Sequence, residues 1–408
     1  MHTAIRNSIA AAAALLLAVA CGGGGGGGNP PPNQAFTQGT IMGFGSVIVN
    51  GVRFDDSAAQ ITDDDGQPHN AGDLKLGMNV DIDSSGIDRS SNTAKASHIR
   101  FGAAIVGPVS AISAATTPKT LTVLDQTVEV NDTTVFDDSL ANGFASINVG
   151  DVLEIHALFD AGTGHYIAKR IEPKPAATVF KLRGPIANLD VTAKTFTIGG
   201  ATIDFSGVAT PPANLANGQT VRVQLQTTKN ASGQWVAIAI QVQQNEMENE
   251  DRDEAEVQGT ITTFTSTTSF SVNGLPVDAT NAQFPDGTAG IVLGAMVEVE
   301  GAVANGVLVA TKVELEDMHQ NDDRNKNELH GPISNLDTTA KTFVVRGVTV
   351  NYVSGTTVFK DGVEADLANG KQVEVKGVLS ADGTSVQAQV IEFENEVENE
   401  MENETNDM

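Results

Sequence analysis

Residues 183–190, "RGPIANLD", lead into residues 194–205, "KTFTIGGATIDF", and residues 330–337, "HGPISNLD", lead into residues 341–352, "KTFVVRGVTVNY". On either side of the central glycine, apolar residues alternate with polar ones. That is the period-two pattern of two half-buried strands joined by a tight hairpin. Two stretches so alike and so far apart imply a chain written from one repeated unit.

The leading element occurs five times: "QGTIMGFG" from residue 38, "VGPVSAIS" from 106, "RGPIANLD" from 183, "QGTITTFT" from 258 and "HGPISNLD" from 330. Its glycines Gly39, Gly107, Gly184, Gly259 and Gly331 are 68, 77, 75 and 72 residues apart. A second element follows each: "DLKLGMNVDID" (73–83), "SINVGDVLEIHA" (146–157), "NLANGQTVRVQL" (214–225), "IVLGAMVEVEG" (291–301) and "DLANGKQVEVKG" (366–377). Each places Leu or Val shortly before a glycine turn and then alternates. A further turn and a last strand close the unit, as in "SADGTSVQAQVIEF" (380–393).

A unit therefore reads as about five short strands with a single turn before the fourth. The expectation is an all-β protein of five tandem, OB-like, closed or nearly closed small barrels, an arrangement that leaves no exposed sheet edge. The boundaries are 36–102, 104–172, 180–243, 256–315 and 328–393. Units this small bury little apolar surface, so five separate modest cores are expected. Charged interruptions between the later units argue against one continuous β-solenoid. Units one and two abut through "FGAAIVG" (101–107) and are expected to pack as a pair, whereas "EPKPAATV" (172–179) is a stiff spacer.

The N-terminus is of another kind. Arg6 precedes an apolar run from Ile9 to Ala20, too short for a bilayer core that needs about twenty residues. Residues 1–20 read as a signal peptide. Next come Cys21, the only cysteine, seven glycines (Gly22–Gly28) and Pro30–Pro32, a flexible leash with a stiffer end over residues 21–35.

The run Ala18, Val19, Ala20, Cys21 resembles the lipobox of bacterial lipoproteins. The resemblance implies lipidation of Cys21, and Gly22 in place of Asp implies delivery to the outer membrane, facing the periplasm or the surface. More than one acyl chain is needed for stable anchoring. The repeats themselves, over roughly residues 36–393, resemble tandem lipoprotein repeats classed as a domain of unknown function in proteobacteria. That resemblance transfers architecture and no chemistry.

The 408 residues carry a net charge of -27, much of it in three stretches, 245–256, 316–328 and 392–408. Such a charge repels phosphate backbones, so no nucleic acid is expected as partner. The segments 244–255 and 316–327 read as acidic linkers and 394–408 as an acidic tail, solvated by default. Phe393, Val397 and Met401 leave room for a terminal helix. The acidic segments can hold divalent cations loosely, and "DMHQNDD" (317–323) can take copper weakly.

Sites of chemistry are sparse. The histidines are scattered without metal-ligand spacing, His330 reading as a surface residue. "DDDG" (63–66) lacks the spacing of a calcium loop, with Leu74 where the bidentate acid belongs, and reads as a β-turn. No catalytic residue, cofactor or specific metal is expected. The leading functional expectation is a non-enzymatic, membrane-anchored spacer or adaptor. The alternative is a binding module for a cell-envelope glycan, peptide or divalent cation. An enzyme would need a pocket of convergent polar groups that the sequence does not reveal.

Overall fold

The computed structural model describes residues 34–115, 117–242, 252–316 and 327–394. Apart from short 3-10 turns, such as Ala71–Asp73 and Gly143–Ser146, the regular structure is all strand. Residues 252–315 show the plan. The first strand, Arg252–Ser266, pairs antiparallel with the second, Ser269–Val272, and the second with the third, Leu275–Asp278. The fourth, Met296–Ala304, lies antiparallel to both the first and the fifth, Val307–Leu315. Third and fifth close the circuit in parallel through Val277↔Leu308. The result is a five-stranded barrel. Alternation sends Val297 and Val299 into its core and leaves Glu298 and Glu300 outside.

The same pairing scheme recurs in residues 105–173, 180–242 and 327–393, with parallel closing pairs Val128↔Tyr166, Ile203↔Trp235 and Val350↔Val386. Residues 34–101 follow it too, closing at Arg53↔Thr93.

Both glycines of the sequence pattern have a steric cause. In the leading element the hairpin tip lies across the first strand. A Cβ at Gly259 would collide with the Asn273 side chain, one at Gly39 with Asn50, and one at Gly184 would sit 2.5 Å from Ile198 Cγ2. Gly331 is looser, with Arg346 Cγ at 3.5 Å. In the second element Gly77, Gly150, Gly218, Gly294 and Gly370 have φ between +82° and +97°, a region that side chains strain. Each donates its N–H back to the first strand or to the residue just past its end, as from Gly77 to Ile41 O at 2.9 Å and from Gly370 to Ile333 O at 2.8 Å.

The barrels do not keep five separate cores. Residues 105–242 share one, in which Leu121, Ile155, Phe196 and Val223 are buried together, and the first strands of the two barrels pair at Leu182↔Ile105. Residues 34–101 share a second core with residues 327–393, where Phe54, Ile82, Phe343 and Ile391 are each 0% exposed. The joining pair is Phe44↔Leu329. Residues 252–315 have the third core and pair with the N-terminal barrel from Ala35↔Glu254 to Gln38↔Val257. The expectation of five separate cores is therefore corrected; units one and two do touch, Asn79 Nδ2 donating to the Ala157 carbonyl at 3.0 Å, but the first takes its core partner from the far end of the chain. The physical reason is size. A barrel of some sixty residues leaves much apolar surface uncovered, and fusing two cores covers it.

Three boundaries shift as well. Arg252–Ala255, assigned to the acidic linker 244–255, already belong to a strand, with Ala255 0% exposed. Asn327, assigned to the linker 316–327, opens a strand. Gln34 and Ala35, assigned to the tether, are likewise in the first strand. The signal peptide, Cys21, most of the leash, the cores of both acidic linkers, the copper-type stretch and the tail with Val397 and Met401 lie outside the described residues. All described residues fall in one compact unit.

Candidate functional site: a polar cavity between barrels

Barrels pack through convex outer faces, and convex bodies leave gaps where several meet. Here the gap is a cavity of about 760 Å³, bounded by residues 34–101, 105–173, 180–242 and 252–315. Small-molecule sites fall within roughly 300–1,000 Å³. Because alternation turns polar side chains outward, the walls carry Arg100, Arg183, Arg222, Gln258 and Thr260 alongside Phe159. This convergence is invisible in the sequence, because its members come from four units and each looks like ordinary surface in its own.

The wall from residues 180–242 concentrates positive charge. Arg183 and Arg222 are directly opposed across antiparallel strands, and Lys181 stands two residues from Arg183 on the same face. Like charges so placed destabilise a sheet. The "DDDG" turn of the N-terminal barrel opposes them. Asp64 Oδ1 lies 3.1 Å from both Lys181 Nζ and Arg222, and Asp65 accepts from Lys181 and, at 2.6 Å, from Arg222. Burial pushes the Asp65 carboxyl up, but Lys181 and Arg222 outweigh it and hold it below its usual range. Asp63 is engaged within its own turn, accepting the N–H groups of Asp65 at 2.9 Å and Gln67 at 2.8 Å. The turn is as the sequence indicated; its reach to another barrel is new.

His98 and Thr62 have the spacing of a base and a nucleophile, Nε2 to Oγ1 2.9 Å. Their protons are wrong for that chemistry. Arg100 Nη1 lies 3.1 Å from His98 Nδ1, and a guanidinium can only donate, so Nδ1 accepts and Nε2 carries the hydrogen. Burial first, and then Arg100, push the imidazole below its ordinary pKa. His98 is thus a neutral donor to Thr62, suited to fixing a wall and not to abstracting a proton.

Two clusters lie away from the cavity. Glu328, His330 and Glu374 bring ligand-type atoms within 4.8 Å of one another. His330 is not the surface residue expected: its side chain is 15% exposed, with Nε2 2.7 Å from Glu328 and Nδ1 3.0 Å from Glu394. Burial opposes its charge, but the bond to Glu328 and the nearby carboxylates raise its pKa overall. Arg53 of the N-terminal barrel contacts Glu328, and Lys376 Nζ lies 2.6 Å from Glu374. Three cations thus face three carboxylates, an ion-pair network that joins the two barrels of the shared core. Sequence reading missed it because Arg53 and Glu328 are 275 residues apart.

Glu298, Glu300 and Glu314 form the other cluster. Burial, then Glu256, Glu316, Glu300 and Glu314, push the Glu298 carboxyl up to about 8. The unfolded carboxyl ionises near 4.5, so between these pH values the folded state holds a proton that the unfolded state releases. Stability therefore falls as pH rises through that window. Glu298→Gln is expected to stabilise the full chain, negligibly at pH 4 and by an upper limit on the order of 3 kcal/mol at pH 7. Urea denaturation at the two pH values checks this, and an equal effect at both would contradict it.

Four segments, residues 106–172, 183–241, 258–314 and 330–392, match the family described as "Domain of unknown function (DUF5666)". They coincide with four of the barrels. No curated protein matches the chain. Among solved structures, drosophila Unr CSD456 is similar at 12% identity over 53% of this chain and 98% of its own, with a TM-score of 0.14. With matched segments over more than half its length, the chain belongs to the DUF5666 family.

Proposed function

We propose that the protein is a lipid-anchored binding protein of the bacterial cell envelope that takes a small polar ligand into the cavity between its barrels. The observation that supports this most is the cavity itself: its volume, its polar walls and its lining drawn from four barrels, two of which the Asp64–Asp65 bridge ties together. A ligand site built by convergence explains why several barrels are joined in one chain. We also propose that residues 34–101 are a fifth, divergent copy of the repeated OB-like domain, on the strength of the shared pairing scheme and the Gly77 turn.

Anchoring rests on the sequence of residues 1–28. Labelling of cells with a palmitate analogue is expected to mark the protein and to fail in Cys21→Ser; label on the serine variant would overturn the anchor. The cavity is tested by calorimetric titration of the full chain in detergent with envelope-type oligosaccharides. Saturable binding is expected in the micromolar range. Thr220→Trp, which fills the cavity from a partly exposed wall position, is expected to weaken it more than tenfold without lowering the unfolding temperature. Equal affinity of the two proteins would place the ligand elsewhere. A second reading, a spacer or adaptor, is favoured by the glycine leash of residues 22–28 and is supported if only calcium, through the acidic segments, gives saturable heat.

A further inference from the structure

The charges around the cavity are not all in use. Arg222 is held by Asp64, Asp65 and Gln241, and its side chain is 6% exposed. Lys181 is held by Asp64 and Asp65. Arg183 differs. Among the described residues its ion contact is a single one, Nη2 to Asp64 Oδ2 at 3.5 Å, and its Nε is buried without a hydrogen-bond partner. Lys181, Arg183 and Arg222 all reach the Asp64–Asp65 turn, Lys181 also feels Glu154, and Asp81 stands elsewhere in the cavity wall. Arg183 therefore keeps hydrogen-bonding capacity at the cavity that Arg222 and Lys181 have already spent.

Arg183 is also fixed in place. Tyr166 Oη donates to the Arg183 carbonyl at 2.6 Å, and a Cβ on the neighbouring Gly184 would stand 2.5 Å from that same Oη. Tyr166 is 1% exposed and packs against Phe159, ring centroids 5.1 Å apart. The planar Arg183 guanidinium, with Nε unpartnered, can pair with a planar carboxylate through two parallel N–H groups. Elsewhere the walls offer neutral hydroxyl and carboxamide groups, including Gln60, Thr220 and Gln258. Those groups match sugar hydroxyls.

We infer that the cavity ligand is a sugar acid, a polyhydroxylated body whose carboxylate pairs with Arg183, and that Arg183 is the residue selecting acidic over neutral sugars. This deepens the cavity reading and rests on it. The full chain in detergent is titrated calorimetrically with trigalacturonate, neutral galactotriose, trialanine and trialanine amide. Trigalacturonate is expected to bind roughly tenfold to a hundredfold tighter than galactotriose, the range of one hydrogen-bonded charge pair. In Arg183→Gln that preference is expected to fall to about twofold, with galactotriose affinity unchanged. Added salt is expected to weaken trigalacturonate binding to the wild-type chain and not to the variant.

The outcomes separate. Equal binding of trigalacturonate and galactotriose by the wild-type chain overturns the sugar acid and leaves the cavity reading standing. Tighter binding of trialanine than of trigalacturonate, lost in the amide, overturns the sugar in favour of a peptide terminus. An undiminished preference in Arg183→Gln overturns the role of Arg183. Binding by none of the four overturns the cavity reading and the inference together. An unchanged unfolding temperature of Arg183→Gln, expected because its one contact to the bridge, to Asp64 at 3.5 Å, is longer than those that Arg222 and Lys181 make, excludes misfolding as the cause of a loss.

Discussion

Gly77→Val lowers the stability of the full chain by about 3–5 kcal/mol, the sum of two separate costs. Gly77 has φ +82°, where a β-branched residue is strained by roughly 1–3 kcal/mol. The added Cβ would also lie 2.5 Å from the carbonyl oxygen of Lys169, backbone of the next barrel, which cannot swing aside as a side chain can. Gly150 separates the two terms. Its φ is +97° and a Cβ there meets nothing within 4 Å. Gly150→Val should therefore show the backbone strain alone, about half the effect. Urea midpoints of the two variants at unchanged slope give the comparison. Equal losses would mean that the barrel contact at Gly77 contributes nothing.

Phe343→Ala is expected to cost about 3–5 kcal/mol, the usual range for emptying a buried aromatic site. Its location matters more than its size. Phe343 is 0% exposed in the core that residues 327–393 share with residues 34–101. Native-state hydrogen exchange should lose protection in both segments at once, although they lie at opposite ends of the described chain. Phe196, the matching residue in "KTFTIGGATIDF", is equally buried but belongs to the core of residues 105–242. Phe196→Ala should loosen that pair and spare the other. Loss of protection confined to residues 327–393 after Phe343→Ala would show the two barrels to be energetically independent.

How much of this could be read from the sequence depends on the range of the interaction. Alternation around Gly199 and Gly347 and the recurrence of Gly39, Gly107, Gly184 and Gly259 specify hairpins and turns within one unit, and those contacts are local. The barrels follow, because a strand with one apolar face has few ways to bury it. Which barrels fuse their cores does not follow. Phe54 and Phe343 each satisfy the same within-unit pattern, and nothing in their spacing says that they meet. The cavity is less legible still. Arg183, Arg222 and Asp64 are ordinary outward-facing polar residues in their own units, and only packing makes them neighbours. His330 reads as surface for the same reason: the matching positions are Gln38, Val106, Arg183 and Gln258, so its partners Glu328 and Glu394 come from outside the repeat pattern. A repeat alignment averages away what makes each copy different, and those differences hold the assembly together.

The join between the first and last barrels has a consequence for how the chain comes into being. Synthesis delivers residues 34–101 long before residues 327–393, so Leu329 and Phe343 are absent when the N-terminal barrel first forms. Until they arrive, one flank of that barrel is an uncovered apolar surface. Nascent chains of this protein should therefore need a holdase, and truncation before residue 327 should yield aggregates rather than a shorter row of intact beads.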